Sequence, residues 1–232
     1  MNSTINIDIN YIRVKLIEKL EINGWDKALK NFIMSSDFKA ILKALKNEVD
    51  QGKRFTPPLK SIFRTFEHTP YTETKVLIIG QDPYPQLDTA DGIAFSCSRK
   101  GKAEKSLQYI FKSLNPTQWD SLDPDLKRWC KQGVLCINTA LTVEIKNIGS
   151  HYHIWKPFTT YLLDHINHNL KCNVILMGKK AEEWGPLLNK QKLFKVAHPA
   201  SAAYKGGVWD DKNVFANVNK ELEINNQPLI IW

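Results

Sequence analysis

The stretch Lys75-Val76-Leu77-Ile78-Ile79-Gly80-Gln81-Asp82-Pro83-Tyr84 decides the reading of the fold. A short, nearly continuous aliphatic run ends on a glycine and a polar turn, the pattern of a strand covered on both faces. Three more runs of this kind follow at residues 133–137, 173–177 and 193–197, and each reads as a buried strand. Helical segments are predicted between them, at 105–114 and 124–131, then 156–169, then 179–189, with a final helix at 213–223. Strands separated by helix-sized segments call for crossover connections. The expectation is therefore an α/β fold with a central four-stranded, largely parallel sheet flanked by helices. A chain of 232 residues suits one such core.

Ahead of the sheet, apolar residues recur at helical spacing: Ile12, Leu16 and Leu20, then Ala28, Phe32, Phe38, Ile41 and Leu45. Asn23-Gly24 parts the groups, so two or three helices are expected there. Residues 1–23 read as an N-terminal helical extension to an α/β unit spanning 24–232. Thr56-Pro57-Pro58 breaks the pattern, and residues 61–63 read as a short helical turn.

Composition narrows the function. Lys and Arg total 32 against 24 Asp and Glu, a formal charge of +8, which favours an anionic partner. Nucleic acid heads that class, and simply solvated lysines are the alternative. Cys97, Cys130, Cys136 and Cys172 form no C-x-x-C pair, so neither a zinc nor an iron–sulfur site is expected. No run approaches about 18 apolar residues, and the chain reads as soluble, intracellular and reduced, with no membrane contact.

In a parallel sheet, ligands bind beyond the carboxyl ends of the strands. The first run leads into Asp82, the second into Asn138-Thr139 and the fourth into His198-Pro199; the third offers only Gly178-Lys179. Asp82, Asn138 and His198 are thus expected on one rim, although each alone also fits a turn or cap. There is no Gly-x-Ser-x-Gly elbow, phosphate-binding lysine loop or Gly-x-Gly-x-x-Gly, which disfavours such hydrolases and nucleotide cofactors. The His151/His153 and His165/His168 pairs lack acidic or cysteine partners at useful spacing, so no metal is expected. Trp119, Trp129, Trp155, Trp184 and Trp209 read as packing residues.

These residues carry a resemblance. From about Gly24 to Trp232 the chain resembles a family 1 uracil-DNA glycosylase. The signs are the stretch 76–84, Gly92-Ile93-Ala94-Phe95-Ser96, Ser106-Leu107 and Trp129-Cys130-Lys131-Gln132-Gly133-Val134-Leu135. They continue with residues 138–143, Ser150-His151, His198-Pro199 and Tyr204-Lys205-Gly206, in the family's order.

The resemblance implies a monomeric, cofactor-free DNA-repair enzyme that flips uracil out of DNA and cleaves its N-glycosidic bond. Asp82 and His198 would be catalytic, the first positioning water and the second, neutral, donating to uracil O2. Gln81, Tyr84, Phe95 and Asn138 would bind uracil. Asn138 would read its pairing edge, Tyr84 would meet C5 and Phe95 would stack, with core packing as the alternative for Phe95. Ser106, Pro199, Ala200, Ser201, Ala202 and Lys205 would contact DNA, helped by Lys100, Lys102 and Lys105. Uracil-containing DNA is the implied partner, single- or double-stranded, with a DNA-mimic inhibitor or a replication protein as further partners. A cytoplasmic location is expected, or a nuclear one in a eukaryotic setting.

The sequence also departs from the family pattern. Pro85 stands where a histidine is usual, and residues 99–105 replace a proline-rich stretch. The loop usually reading His-Pro-Ser-Pro-Leu-Ser is His198-Pro199-Ala200-Ser201-Ala202-Ala203, one residue shorter. Ser201 or Ala202 then takes the place of the leucine wedge, which implies a weaker hold on duplex and a bias to single-stranded or destabilised sites. Two other functions stay open: a glycosylase for C5-modified uracil, and a DNA-binding accessory protein with weak or lost catalysis.

Overall fold

Residues 8–98 and 101–232 are described by the computed structural model. Three helices open the chain: α1 (Ile9–Glu21), α2 (Asp26–Ile33) and α3 (Ser36–Asp50). The Asp8 carboxylate caps α1, accepting from Asn10 N–H at 2.8 Å. Leu16 and Leu20 of α1 enter the core. Arg13, although charged, is buried: its guanidinium donates to the Ile33 and Ser35 carbonyls at 2.6 Å each, satisfying groups left open at the end of α2.

The remaining elements are β1 (Phe55–Thr56), α4 (Arg64–His68), β2 (Val76–Gly80), α5 (Lys105–Leu114), α6 (Lys127–Cys130), β3 (Val134–Asn138) and β4 (Val143–Glu144). After them come α7 (Tyr152–Asn169), β5 (Asn173–Met177), α8 (Lys179–Glu182), β6 (Lys192–Val196) and α9 (Val214–Ile224). The four long strands form one parallel sheet in the order β3-β2-β5-β6. Alternate side chains serve the two faces. Leu77, Ile79, Leu135, Ile137, Val174 and Leu176 pack with the layer containing the early helices and α7. Val76, Ile78, Val134, Cys136, Ile175 and Met177 pack with α5, α6 and α9.

Several boundaries differ from the sequence reading, each for a physical reason. β6 is an edge strand with exposed Lys192 and Lys195, unlike β2, β3 and β5, whose residues are all buried. The helix expected at 124–131 shortens to α6, because Pro124 and Asp125 are held in turns that tie them to Ser96, Cys97 and Arg64. α7 begins four residues earlier than periodicity suggested and carries Pro157 in its first turns. The segment 179–189 divides into α8 and a 3₁₀ turn, Gly185–Leu188, with Pro186 at its start. The antiparallel β1–β4 ribbon is too short to leave an alternating signature.

Among the described residues, no helix is long and apolar enough to cross a membrane. All four cysteines are buried, and burial pushes the Cys172 thiol up to about 12. Trp129, Trp155 and Trp209 are buried, while Trp119 and Trp184 pack against the core from its margin.

Candidate active site

Strand ends decide where the chemistry lies. Gly80 closes β2 and Asn138 closes β3, and the two are register partners. His198 follows β6 by two residues. A cleft of about 540 Å³ opens above this rim, and Gln81, Asp82, Tyr84, Phe95, Ser106, Asn138, His198 and Ala200 all line it. The sequence-predicted catalytic and base-binding residues are therefore gathered at one place.

The floor of the cleft requires glycine. A Cβ at Gly80 would meet Asn138 Oδ1 at 2.5 Å and the Phe95 ring at 3.0 Å. Asn138 is 8% exposed, and among the described residues its carboxamide has no protein hydrogen-bond partner. Its two donors and one acceptor oxygen are therefore left for a ligand.

Phe95 forms an aromatic wall and lies in the left-handed region at φ 67°, uncommon for a bulky residue. The surrounding loop holds it there. Buried Asp91 accepts from Ile93 N–H, from the Ser96 hydroxyl, and from the Ser98 N–H and hydroxyl, at 2.6–3.1 Å. Arg64 stands 3.0 Å from Asp91 and makes a two-pronged contact with Asp125 at 2.9 and 2.7 Å. Burial alone would lower the Arg64 pKa, yet these carboxylates raise it, and the same guanidinium holds Asp125 below the usual carboxylate range. The Tyr84 hydroxyl donates to the Phe95 carbonyl at 2.9 Å, tying these two cleft-lining residues together.

Asp82 follows the carboxyl end of β2. Burial raises its pKa, opposed by hydrogen bonds from the Tyr152 hydroxyl and Gly149 N–H and by the neighbouring Gln81 amide. The loop beneath is pinned: Thr139 donates to the Gln81 carbonyl at 2.8 Å, and Lys146 N–H donates to the Pro85 carbonyl at 3.0 Å.

His198 is kept neutral by burial, which lowers its pKa. Ala200 N–H donates to His198 Nδ1 at 3.2 Å, so the neutral ring carries its proton on Nε2. Its ring centroid is 5.8 Å from that of Phe95. Sequence reasoning gave Gly178 no role, yet at φ 94° it is the reason this histidine fits: a Cβ there would stand 2.8 Å from His198 Cβ.

The loop after His198 is a 3₁₀ turn, Pro199–Tyr204. Ala202 is fully buried among the residues packed against α5 and α9, so it cannot serve as a wedge on DNA. Pro199 is also buried, Ser201 is half-buried and Lys205 is exposed. Tyr204, which sequence reasoning cited only within a motif, is 92% exposed at the end of the turn. Ser106 is buried in the first turn of α5 and lines the cleft. Lys102 and Lys105 are exposed, and Lys100 lies outside the described residues.

The histidine pairs are engaged elsewhere: His151 Nδ1 is 2.7 Å from the Thr142 hydroxyl, and His165 Nε2 is 2.8 Å from that of Tyr71. Among the described residues, no cluster of three or more His, Cys, Asp or Glu side chains is placed to hold a metal ion.

Residues 66–223 match the family model of the uracil DNA glycosylase superfamily. The chain belongs to this superfamily. A uracil-DNA glycosylase of Borreliella burgdorferi is 37% identical over 216 residues, covering 89% of this chain and 96% of the relative. One from Pseudomonas aeruginosa is 36% identical over 221 residues, covering 92% and 94%. The crystal structure of mimivirus uracil-DNA glycosylase superposes with a TM-score of 0.81 at 22% identity, covering 94% of this chain and 88% of that one. Superfamily membership and the shared architecture thus agree with the resemblance carried by residues 76–84 and 138–143.

Proposed function

We propose that this chain hydrolyses the N-glycosidic bond of deoxyuridine in DNA, releasing uracil and leaving an abasic site for repair. The observation that carries the proposal is the convergence of Asp82, Asn138 and His198 on one cleft walled by Phe95. A base in a duplex must first leave the stack, at a cost of a few kcal/mol.

Once the base is flipped, charge develops in two places as the bond breaks. Ionised Asp82 orients water and stabilises the positive, oxocarbenium-like sugar. His198 donates from Nε2 to uracil O2, where negative charge gathers on the leaving base. Asn138 accepts from uracil N3–H and donates to O4; cytosine reverses that edge and leaves buried groups unpaired. Tyr84 meets C5 and excludes a methyl group, Phe95 stacks on the base, and Gln81 completes the lining.

DNA is held around the cleft. Ser106 donates to a phosphate at the start of α5. Pro199 and Ala200 shape the loop, and Tyr204 and Lys205 offer an aromatic surface and a cation to the strand. Ser201 at the wedge position is too small to replace a flipped base, which favours single-stranded or destabilised sites.

The acting form is a cytoplasmic monomer without a cofactor, in which α1 braces the unit 24–232. A variant of the mimivirus enzyme has been solved in complex with UGI; an inhibitor that imitates DNA would use the same face here.

Matched single-stranded and duplex oligonucleotides carrying uracil, cytosine, thymine or a 5-substituted uracil test the proposal, with abasic sites read by alkaline cleavage. Release of uracil alone, faster from the single strand, is expected. Turnover of the 5-substituted base would reassign the specificity, and DNA binding without any release would make the chain an accessory protein.

A further inference from the structure

Asp82 lines the main cleft, and its partner Tyr152 lines a second pocket of about 240 Å³ together with Thr139, His153, Lys156, Lys180 and Glu183. Tyr152 is the first residue of α7, and its hydroxyl reaches forward to Asp82. It donates to Asp82 Oδ2 at 3.0 Å, and Gly149 N–H donates to the same oxygen at 2.9 Å. Asp82 Oδ1 is buried and has no hydrogen-bond partner among the described residues.

The carboxylate is thereby loaded unevenly. A carboxyl group on two side-chain torsions can present either oxygen, and two donors on one oxygen remove that freedom. Tyr152 is itself well anchored. Trp155 Nε1 donates to the Thr142 hydroxyl at 2.6 Å, and the Thr159 hydroxyl donates to the Thr139 carbonyl at 2.9 Å, fixing α7 against the segment that follows β3.

We propose that Tyr152 is a positioning residue for the reaction: with Gly149 it clamps Asp82 Oδ2 and so fixes the orientation of the carboxylate that directs the attacking water. The proposal rests on the reading that Asp82 orients that water. Tyr152 does not touch the substrate; it acts through Asp82. Its hydrogen bond also favours the charged form of the carboxylate, against burial that favours the neutral one. The other groups around the pair are the Gln81 amide, His198 lining the same cleft, and, behind Tyr152, His153, Lys156 and the Lys180–Glu183 ion pair at 2.8 Å.

Tyr152→Phe keeps the ring and removes the donor. Single-turnover release of uracil from a single-stranded oligonucleotide is expected to slow about tenfold with KM unchanged, the worth of one charge-assisted hydrogen bond. In an Asp82→Asn background the same change is expected to add nothing, since the two residues act as one unit. Carbon-detected NMR titration of the Asp82 carboxyl, which needs no activity, should show its midpoint rising by about one pH unit in Tyr152→Phe. Equal losses in both backgrounds, or an unmoved carboxyl midpoint, would overturn the clamp. If the unmodified enzyme releases no uracil, or Asp82→Asn releases it normally, the reading of Asp82 fails instead, while the NMR midpoint still decides the clamp.

Discussion

Gly80 and Asn138 end adjacent parallel strands in register, and a Cβ on Gly80 would stand 2.5 Å from Asn138 Oδ1. The selective amide and the residue that makes room for it are thus set by one strand pairing. Gly80→Ala should displace the Asn138 carboxamide and the Phe95 ring together. We expect uracil release to fall by about 100-fold, as a misplacement near 1 Å at a reacting group does, with the far-ultraviolet circular dichroism unchanged. Normal turnover in the variant would mean that Asn138 is not held by this contact.

Acid should switch the enzyme off. Asp82 acts when charged and His198 when neutral; burial raises the first pKa above its ordinary 3.8 and lowers the second below 6.5. Falling pH therefore neutralises Asp82 and charges His198, and the single-turnover rate should decline on the acid side while staying level on the alkaline side. A rate already falling between pH 8 and 7 would contradict the assignment of both groups.

Asp82 also weakens the fold that it serves. Because its folded pKa is raised, its protonated form is the one that favours folding, fully so below the unfolded value; this contribution is lost as pH rises through the folded value. Asp82→Asn should accordingly raise Tm at pH 7, and the gain should shrink toward pH 4 and vanish below it. A lower Tm for the variant at pH 7 would show that its hydrogen bonds outweigh desolvation.

Arg64 sits between Asp91 and Asp125, and Asp91 organises the loop that keeps Phe95 at positive φ. Arg64→Met leaves a buried carboxylate without its cation, costing about 3–5 kcal/mol. Thermal unfolding should shift down by roughly 10 °C for a chain of this size, and uracil release should drop even where the variant is folded. An unchanged Tm would mean that Asp91 is satisfied by its serine and backbone donors alone.

How much of this was legible depended on how local each signal was. Strands β2, β3 and β5 announced themselves because burial on both faces demands unbroken aliphatic runs. β6 was legible as a strand, though not as an edge, since which strand lies outermost is set by pairings distant in sequence. Asp82, Asn138 and His198 were visible because parallel sheets bind ligands at strand ends. Tyr152 and Gly178 were not: one reaches Asp82 across 70 residues of sequence, and the other matters only through the clearance of a side chain 20 residues away. Ala202 was misread for a related reason. Its place in the loop suggested contact with DNA, whereas packing in the core layer of α5 and α9 buries it, and the large exposed side chain of that turn is Tyr204.

The most direct measurement is single-turnover release of uracil from a single-stranded oligonucleotide by the unmodified enzyme and by Asp82→Asn. The account predicts uracil and an abasic site from the unmodified enzyme, and a rate at least 100-fold lower in the variant, the scale on which such electrostatic groups act. Equal rates from the two proteins, or no uracil from either, would contradict it.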